Sequence, residues 1–547
     1  MSKPLRHMLT VVVMVVATVF SFAIAPGVAR AAGTGAITVD GTVATRYDAY
    51  QIFSATVVDD ADADQKVATD ITWANDAVRQ AVLPVLHDAG LDSSASTAQE
   101  AVEWMNVDGH MTTALAAKLA RAICNAGAPS VALNAGTAAE LSCGYWLIVA
   151  DDGAIAQDEV GTAPIMALVG GGAVTVKPKA ATPKVAKHVL EDSTAAWQKA
   201  ADATVADDLY WRLSATVPAG LSAYDTYAVQ FVDAMSAGLD PSRVAASMRV
   251  YVAAGAEGGF DAVACEGGNA NSTPAKGWTD ITSQCKVSVE GNAFTVRTGD
   301  LIAALGGADV FAAGARVLAV YNAPLNNVCN HGIAKGNPNE VYLRYPRSPF
   351  ADQSGNSGFT RTPSDDATAY TWGLSLIKRS SSDDKPLVGA KLRITDDRGR
   401  ALSADGTWTT DADAYVVSGE DGRVELNGVD AGVYTVEEVA APKGYTAFEG
   451  KRTVTVAADG LDVKQVAAAK PKVTVSAESP LRVDAADAGT GSIELSVLNT
   501  PSKEASRGFM PSTGDRTLVL VAALAVIGVT AIVAALVIKR GGGRRDK

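Results

Sequence analysis

Histidine and cysteine are the scarcest chemistry-bearing residues in this chain, five of each. The five histidines (His7, His87, His110, His188, His331) are too scattered among 547 residues to offer the spacing of a metal site, so no metal is expected. A cationic surplus is missing as well. The 47 Lys and Arg stand against 60 Asp and Glu, a formal net charge of −13, which argues against nucleic acid or an anionic membrane surface and suits a soluble surface protein. There is no HExxH, no GxSxG, no phosphate-binding Gly-rich loop and no paired-carboxylate signature, so neither a cofactor nor turnover of a separate substrate is expected. Cysteine is sparse, and none of the five lies in a nucleophile motif.

What the sequence does have is concentrated first at its ends. Lys3 and Arg6 precede the apolar stretch Met8 to Ala25, and Ala29-Arg30-Ala31 is a small-x-small cleavage site, so residues 1–31 read as a secretory signal. At the other end, an apolar run from Leu518 to Ile538 is long enough for one membrane-spanning helix, and the basic tail behind it stays cytoplasmic. Met510-Pro511-Ser512-Thr513-Gly514, just ahead of that run, resembles the cell-wall sorting signal read by sortase transpeptidases. The resemblance implies cleavage between Thr513 and Gly514; Met510 replaces the usual Leu. The expected location is therefore extracellular, wall-anchored on a Gram-positive surface, with a transiently membrane-bound precursor. In that oxidising compartment the nearest-neighbour pairs Cys124–Cys143 and Cys265–Cys285 are the expected disulfides, each contributing about 3 kcal/mol. Connectivity stays open, because Cys329 can replace either member of the second pair.

Glycine (50 residues in the whole chain) and, between the ends, many short Val/Thr/Ala runs favour an all-β chain. We expect three tandem immunoglobulin-like β-sandwich domains. The first, 33–176, has a helical insertion, marked by Leu115, Leu119 and Ile123 recurring every four residues in Thr112 to Ala126. A Lys/Pro-rich seam follows (Lys177 to Lys184), then a middle domain, 180–365, and a third, 368–502, whose strands are broken by Asp-Gly turns. Residues 503–547 form the sorting segment, with the membrane helix at 518–538.

Period-2 alternation places several polar residues on apolar faces. In the third domain these are Lys378 (with Leu374 and Leu376), Glu438 (with Tyr434 and Val436) and Asn499 (with Ile493, Leu495 and Val497). Buried alone, each is costly; buried together, they can react. Desolvation favours a neutral amine and a protonated carboxyl, the amine can attack a side-chain amide, and the acid can shuttle protons to departing ammonia. The product is an intramolecular isopeptide bond. The bland alternative is a hydrogen-bonded polar triad or a set of exposed strand ends.

Family resemblance adds to this. Tyr434 to Tyr445 resembles the E-box of sortase-assembled pilins, with its glutamate on Glu438, while Leu387 to Leu392 and Asn499-Thr500-Pro501 resemble strands of the collagen-adhesin B-type sandwich. This implies a Lys378–Asn499 bond assisted by Glu438. The middle domain resembles the other isopeptide-forming module of pilus shaft subunits, on Pro183 to Val189, Tyr227 to Asp233 and Asn337 to Tyr345. That implies a Lys187–Asn339 bond with Asp233 as the acid; Asn337 has the same parity and stays open. The first domain has family-like segments (Tyr47 to Phe53, Gly144 to Ile148, Ala163 to Met166) but no comparable set.

Finally, Val174 to Lys179 resembles the end of the pilin motif, usually Val-x-Val-Tyr-Pro-Lys. This places the polymerising amine on Lys179, although the motif's Trp is absent and Lys177 replaces its Tyr. The chain thus resembles a pilus shaft pilin supporting adhesion. The implied partners are a class C-type pilus sortase, a housekeeping sortase, other copies of itself, minor pilins and peptidoglycan. The alternative is a monomeric wall-anchored adhesin that binds a host ligand.

Overall fold

The computed structural model describes residues 33–40, 44–60, 65–155, 160–178, 182–260, 276–351, 353–459 and 472–502. The export signal, Lys179, Cys265, the sorting pentapeptide and the apolar run 518–538 all lie outside these. Among the described residues no helix is long and apolar enough to cross a membrane. The chain is mostly β, with several sheets.

In the first domain the long strand Arg46–Asp60 pairs with Gln65–Trp73, Val131–Asn134 and Gly144–Ala150. Three helices, Asp76–Asp88, Ala98–Met105 and Thr113–Asn125, share a core with that sheet. The last of them begins where Thr112 caps the Leu115 amide at 3.1 Å, and it buries Leu115, Leu119 and Ile123. Strand Val174–Val176 leaves the domain parallel to the opening strand Thr34–Val39. Beyond it, exposed Lys177 stands 3.9 Å from Asp40.

The middle domain is two six-membered strand paths around one core. One runs Ala196–Gln198, Lys184–Glu191, Tyr210–Val217, Ala315–Asn322, Arg249–Ala254, Thr279–Asp280. The other runs Ala200–Asp202, Asp365–Tyr370, Asn337–Pro346, Gln230–Met235, Ala293–Arg297, Lys286–Glu290. Trp211 and Tyr321 from the first sheet and Phe231 and Phe294 from the second are buried in that core. The expected end of the domain at 365 changes here. Asn337–Pro346 does not close the domain, since Phe359–Arg361 and Asp365–Tyr370 both pair with it. The boundary therefore falls at Thr371, not between 365 and 368. The polar composition of 353–364 hid the short returning strand Phe359–Arg361, because a strand at a sheet's rim needs little apolar content.

The third domain packs the sheet Arg423–Val429, Trp372–Ser380, Ser492–Pro501, Tyr445–Thr446 against one built on Lys391–Thr395, Gly432–Ala440, Lys451–Asp459 and Lys472–Ala477. Its first and last strands, Trp372–Ser380 and Ser492–Pro501, are parallel neighbours.

One buried residue, Thr371, joins the middle and third domains, and the joint is densely bonded. Gly332 (φ +69°) and Gly491 (φ +67°) meet so closely that a Cβ on Gly332 would lie 2.2 Å from the Gly491 nitrogen. Ile333 and Ala334 donate to Ala488 and Gly489 carbonyls at 2.9 Å. The Asp202 carboxylate accepts from the Trp372 indole (2.7 Å) and the Ala431 amide (2.8 Å), while Glu191 accepts from the Asp202 amide at 3.2 Å. Arg400 forks onto Asp207 at 2.6 and 2.7 Å. Burial pushes the Asp202 carboxyl up and the Glu191 carboxyl up to about 7, from an ordinary value of 4.5. A carboxyl raised by folding contributes stability that is full below its unfolded value and is lost as pH rises through its folded value. Unfolding at pH 8 is therefore expected to come earlier than at pH 5, with Glu191 accounting for on the order of 2–3 kcal/mol. Thermal melts of wild type and Glu191→Gln at the two pH values check this; an undiminished pH effect in the variant refutes it.

Candidate functional site

In the third domain the parallel register pairs Lys378 with Val497 and Ser380 with Asn499, so Lys378 and Asn499 are diagonal neighbours on one inward face. Glu438 reaches them from strand Gly432–Ala440 of the opposite sheet. The lysine and glutamate side chains are fully buried. Lys378 Nζ contacts Asn499 Oδ1 and lies 3.1 Å from Glu438 Oε1. The same Oε1 accepts from Asn499 Nδ2 at 2.8 Å, and Glu438 Oε2 is fixed by the Phe448 amide at 3.1 Å. One carboxyl oxygen thus touches both the lysine amine and the asparagine amide nitrogen. Burial pulls the Lys378 amine down to about 8. That leaves a usable neutral fraction at pH 7, where an ordinary lysine near 10.4 is neutral in fewer than about one molecule in a thousand.

The middle domain assembles the same chemistry across its two sheets. Lys187 projects from Lys184–Glu191, while Asp233 and Asn339 come from the facing sheet. There Asp233 pairs with Val341 and Met235 with Asn339, again a diagonal on one face. Lys187, Asp233 and Asn339 are all fully buried. Lys187 Nζ contacts Asp233 Oδ2, and burial pulls this amine too down to about 8 while raising the Asp233 carboxyl. Asn337, of equal parity, is otherwise engaged: its amide bonds the Asn330 amide and carbonyl at 2.9 Å and the Ala369 carbonyl at 3.2 Å. Asn339 is the asparagine that faces the lysine's surroundings.

Tyr321 is the residue that sequence reading missed. Its hydroxyl accepts from Lys187 Nζ (2.9 Å) and from Asn339 Nδ2 (2.9 Å) and donates to Asp233 Oδ2 (3.2 Å). The alternation of Val317, Ala319 and Tyr321 on strand Ala315–Asn322 was the available signal, but an inward tyrosine also reads as ordinary core.

Each cluster places an amine and a carboxyl out of water, an arrangement that costs several kcal/mol per ion unless it is compensated. An amide formed between the lysine and the asparagine would be neutral and would remove the lysine's share of that cost.

The family model described as SpaA, prealbumin-like fold domain, matches residues 373–470, which include Lys378 and Glu438. Over these residues the third domain is similar to that family. Comparison with curated proteins finds no match. Among solved structures, the chain is similar to the T6 backbone pilin of serotype M6 Streptococcus pyogenes, at 15% identity and a TM-score of 0.45, covering 86% of this chain and 98% of that one. It is similar as well to the full-length major pilin SpaD from Corynebacterium diphtheriae, at 14% identity and a TM-score of 0.43, covering 86% and 98%. BcpA, the major pilin subunit of Bacillus cereus, matches at 12% identity and a TM-score of 0.37, covering 86% and 99%.

In the first domain the expected Cys124–Cys143 disulfide is corrected. Cys124, Cys143, Cys285 and Cys329 are free thiols. Cys124 sits in the last turn of its helix with Sγ 3.5 Å from the Tyr50 hydroxyl. Cys143 is buried with its Sγ against Gly33 and Gly170. Proximity in sequence did not bring the two sulfurs together, because the helix end and the strand start hold them against different neighbours. Cys285 Sγ bonds the Ile281 carbonyl at 3.3 Å, and its expected partner Cys265 lies outside the described residues. Among the described residues no group of three His, Cys, Asp or Glu is arranged to hold a metal.

Proposed function

We propose that this chain is the shaft subunit of a covalently polymerised, cell-wall-anchored pilus, built from three tandem immunoglobulin-like sandwiches. In this reading the middle and SpaA domains each close an isopeptide bond, Lys187–Asn339 with Asp233 and Lys378–Asn499 with Glu438. The observation that carries it is the pair of fully buried lysine, asparagine and carboxyl clusters in consecutive domains. A globular surface protein has little use for one such cluster, whereas a fibre under tension gains from a crosslink in every domain that bears load.

The same bonds form and break at both sites. The neutral lysine amine attacks the asparagine Cγ, the Nζ–Cγ bond forms, the Cγ–Nδ2 bond breaks and ammonia leaves. Glu438 contacts both nitrogens and so takes the proton from one and returns it to the other. A pilus sortase cleaves Thr513–Gly514 and joins the Thr513 carboxyl to Lys179 of another copy. A housekeeping sortase joins the final subunit to peptidoglycan, and minor pilins complete the fibre.

Denaturing electrophoresis of wall extracts tests this. Wild type is expected to give a ladder of covalent multimers, and Lys179→Ala is expected to collapse it to monomer on the wall. A single band in the wild type is the result for a lone anchored adhesin and overturns the shaft assignment. A ladder that persists in Lys179→Ala moves the acceptor to Lys177 or Lys184.

A further inference from the structure

The two clusters differ in how the acid reaches the leaving group. In the SpaA domain the longer Glu438 touches both Lys378 Nζ, at 3.1 Å, and Asn499 Nδ2, at 2.8 Å. In the middle domain the acid is one methylene shorter. Asp233 Oδ2 contacts Lys187 Nζ and the Tyr321 hydroxyl, and Asp233 Oδ1 has no hydrogen-bond partner. Among the described residues only the Tyr321 hydroxyl touches all three groups: nucleophile, acid and Asn339 Nδ2.

We propose that the Tyr321 hydroxyl is a catalytic proton relay of the middle-domain reaction, handing to the departing Asn339 nitrogen the proton that Asp233 removes from Lys187. The inference rests on the isopeptide reading above. Lys187 Nζ, as a neutral amine, bonds to Asn339 Cγ and gives one of its two hydrogens to Asp233. Tyr321 passes its own proton to Nδ2 as the Cγ–Nδ2 bond breaks and takes the proton held by Asp233. Ammonia leaves, Tyr321 and Asp233 end as they began, and nothing is oxidised or reduced.

The surroundings suit this role. Tyr321 is fully buried, held edge-on to Phe294 at a centroid distance of 4.7 Å, so its hydroxyl has no water to exchange with and a fixed direction. Burial and the facing Asp233 raise its pKa well above the ordinary phenol value, which keeps the proton in place until it is needed. A tyrosine kept only for packing has no need of three polar contacts on one oxygen.

The test is timed cell-free synthesis of the full chain. Aliquots are quenched and digested, and the Lys187–Asn339 and Lys378–Asn499 branched peptides are measured by mass spectrometry, the second serving as internal clock. Tyr321→Phe keeps the ring and is expected to slow the first peptide about a hundredfold, within the range for one general acid, while leaving the second unchanged. An unchanged rate for both overturns the relay and leaves the crosslink standing. Absence of the Lys187–Asn339 peptide from the wild type overturns the crosslink itself, and the relay with it. Because the phenylalanine variant can fail through packing, 3,5-difluorotyrosine at position 321 provides an independent measure. Its more acidic phenol is expected to shift the middle-domain rate several-fold, and equal rates refute the proposal.

Discussion

Glu438→Ala is expected to leave the folded protein one ammonia heavier than the wild-type product and to lower the melting midpoint of the SpaA domain by roughly 15 °C. Lys378 and Asn499 are 121 residues apart in sequence. A crosslink closing a loop of that size removes chain entropy from the unfolded state worth about 5 kcal/mol. Without the carboxyl, the amine keeps its contact with Asn499 but loses the group that accepts and returns its proton, so closure stops. The variant also strands a buried lysine beside an alanine, which adds to the loss. Asp233→Ala is expected to restore one ammonia independently, since the two clusters lie in separate cores. Intact mass gives the ammonia count, and calorimetry under reductant gives the midpoints. A folded wild type at its unmodified sequence mass eliminates both crosslinks.

Pulled from Lys179 and Thr513, the ends through which a polymer would load it, the chain is expected to yield by no more than roughly 100 Å of contour within its folded domains. In the SpaA domain the Lys378–Asn499 bond would pass force directly between its first and last strands, taking residues 379–498 out of the load path. The middle domain is protected less completely. Force crossing from Lys187 to Asn339 must still travel along residues 339 to 371, which include the returning strands Phe359–Arg361 and Asp365–Tyr370. These are held by non-covalent contacts alone, among them the Lys199–Asp365 ion pair, and can peel away. The wild type should therefore show one short extension event in force spectroscopy, and Asp233→Ala a much longer one as the whole middle domain unravels. A long extension in the wild type contradicts the crosslinked load path. The first domain precedes Lys179 and carries none of this tension, in keeping with its having no comparable cluster to propose.

Much of this was legible in the chain. A strand turns alternate side chains to opposite faces whatever its partner is, so the spacing of Lys378, Glu438 and Asn499 among apolar neighbours sufficed to place each inward. The helix at Thr113–Asn125 was equally local, set by a capping threonine and a four-residue apolar repeat. Parity could not separate Asn337 from Asn339, because both share a face. Only the loop at Asn330 and the register against Met235 tell them apart. Tyr321 could not be recognised from its own strand, since its role comes from three groups on three other strands. The boundary at Thr371, the free thiols of Cys124 and Cys143 and the raised carboxyls at the domain joint were likewise decided in three dimensions. Alternation and capping are written into neighbouring residues, so the sequence by itself determined which side chains face inward; which of them meet depends on pairings between segments far apart in the chain, and only the tertiary structure decided that.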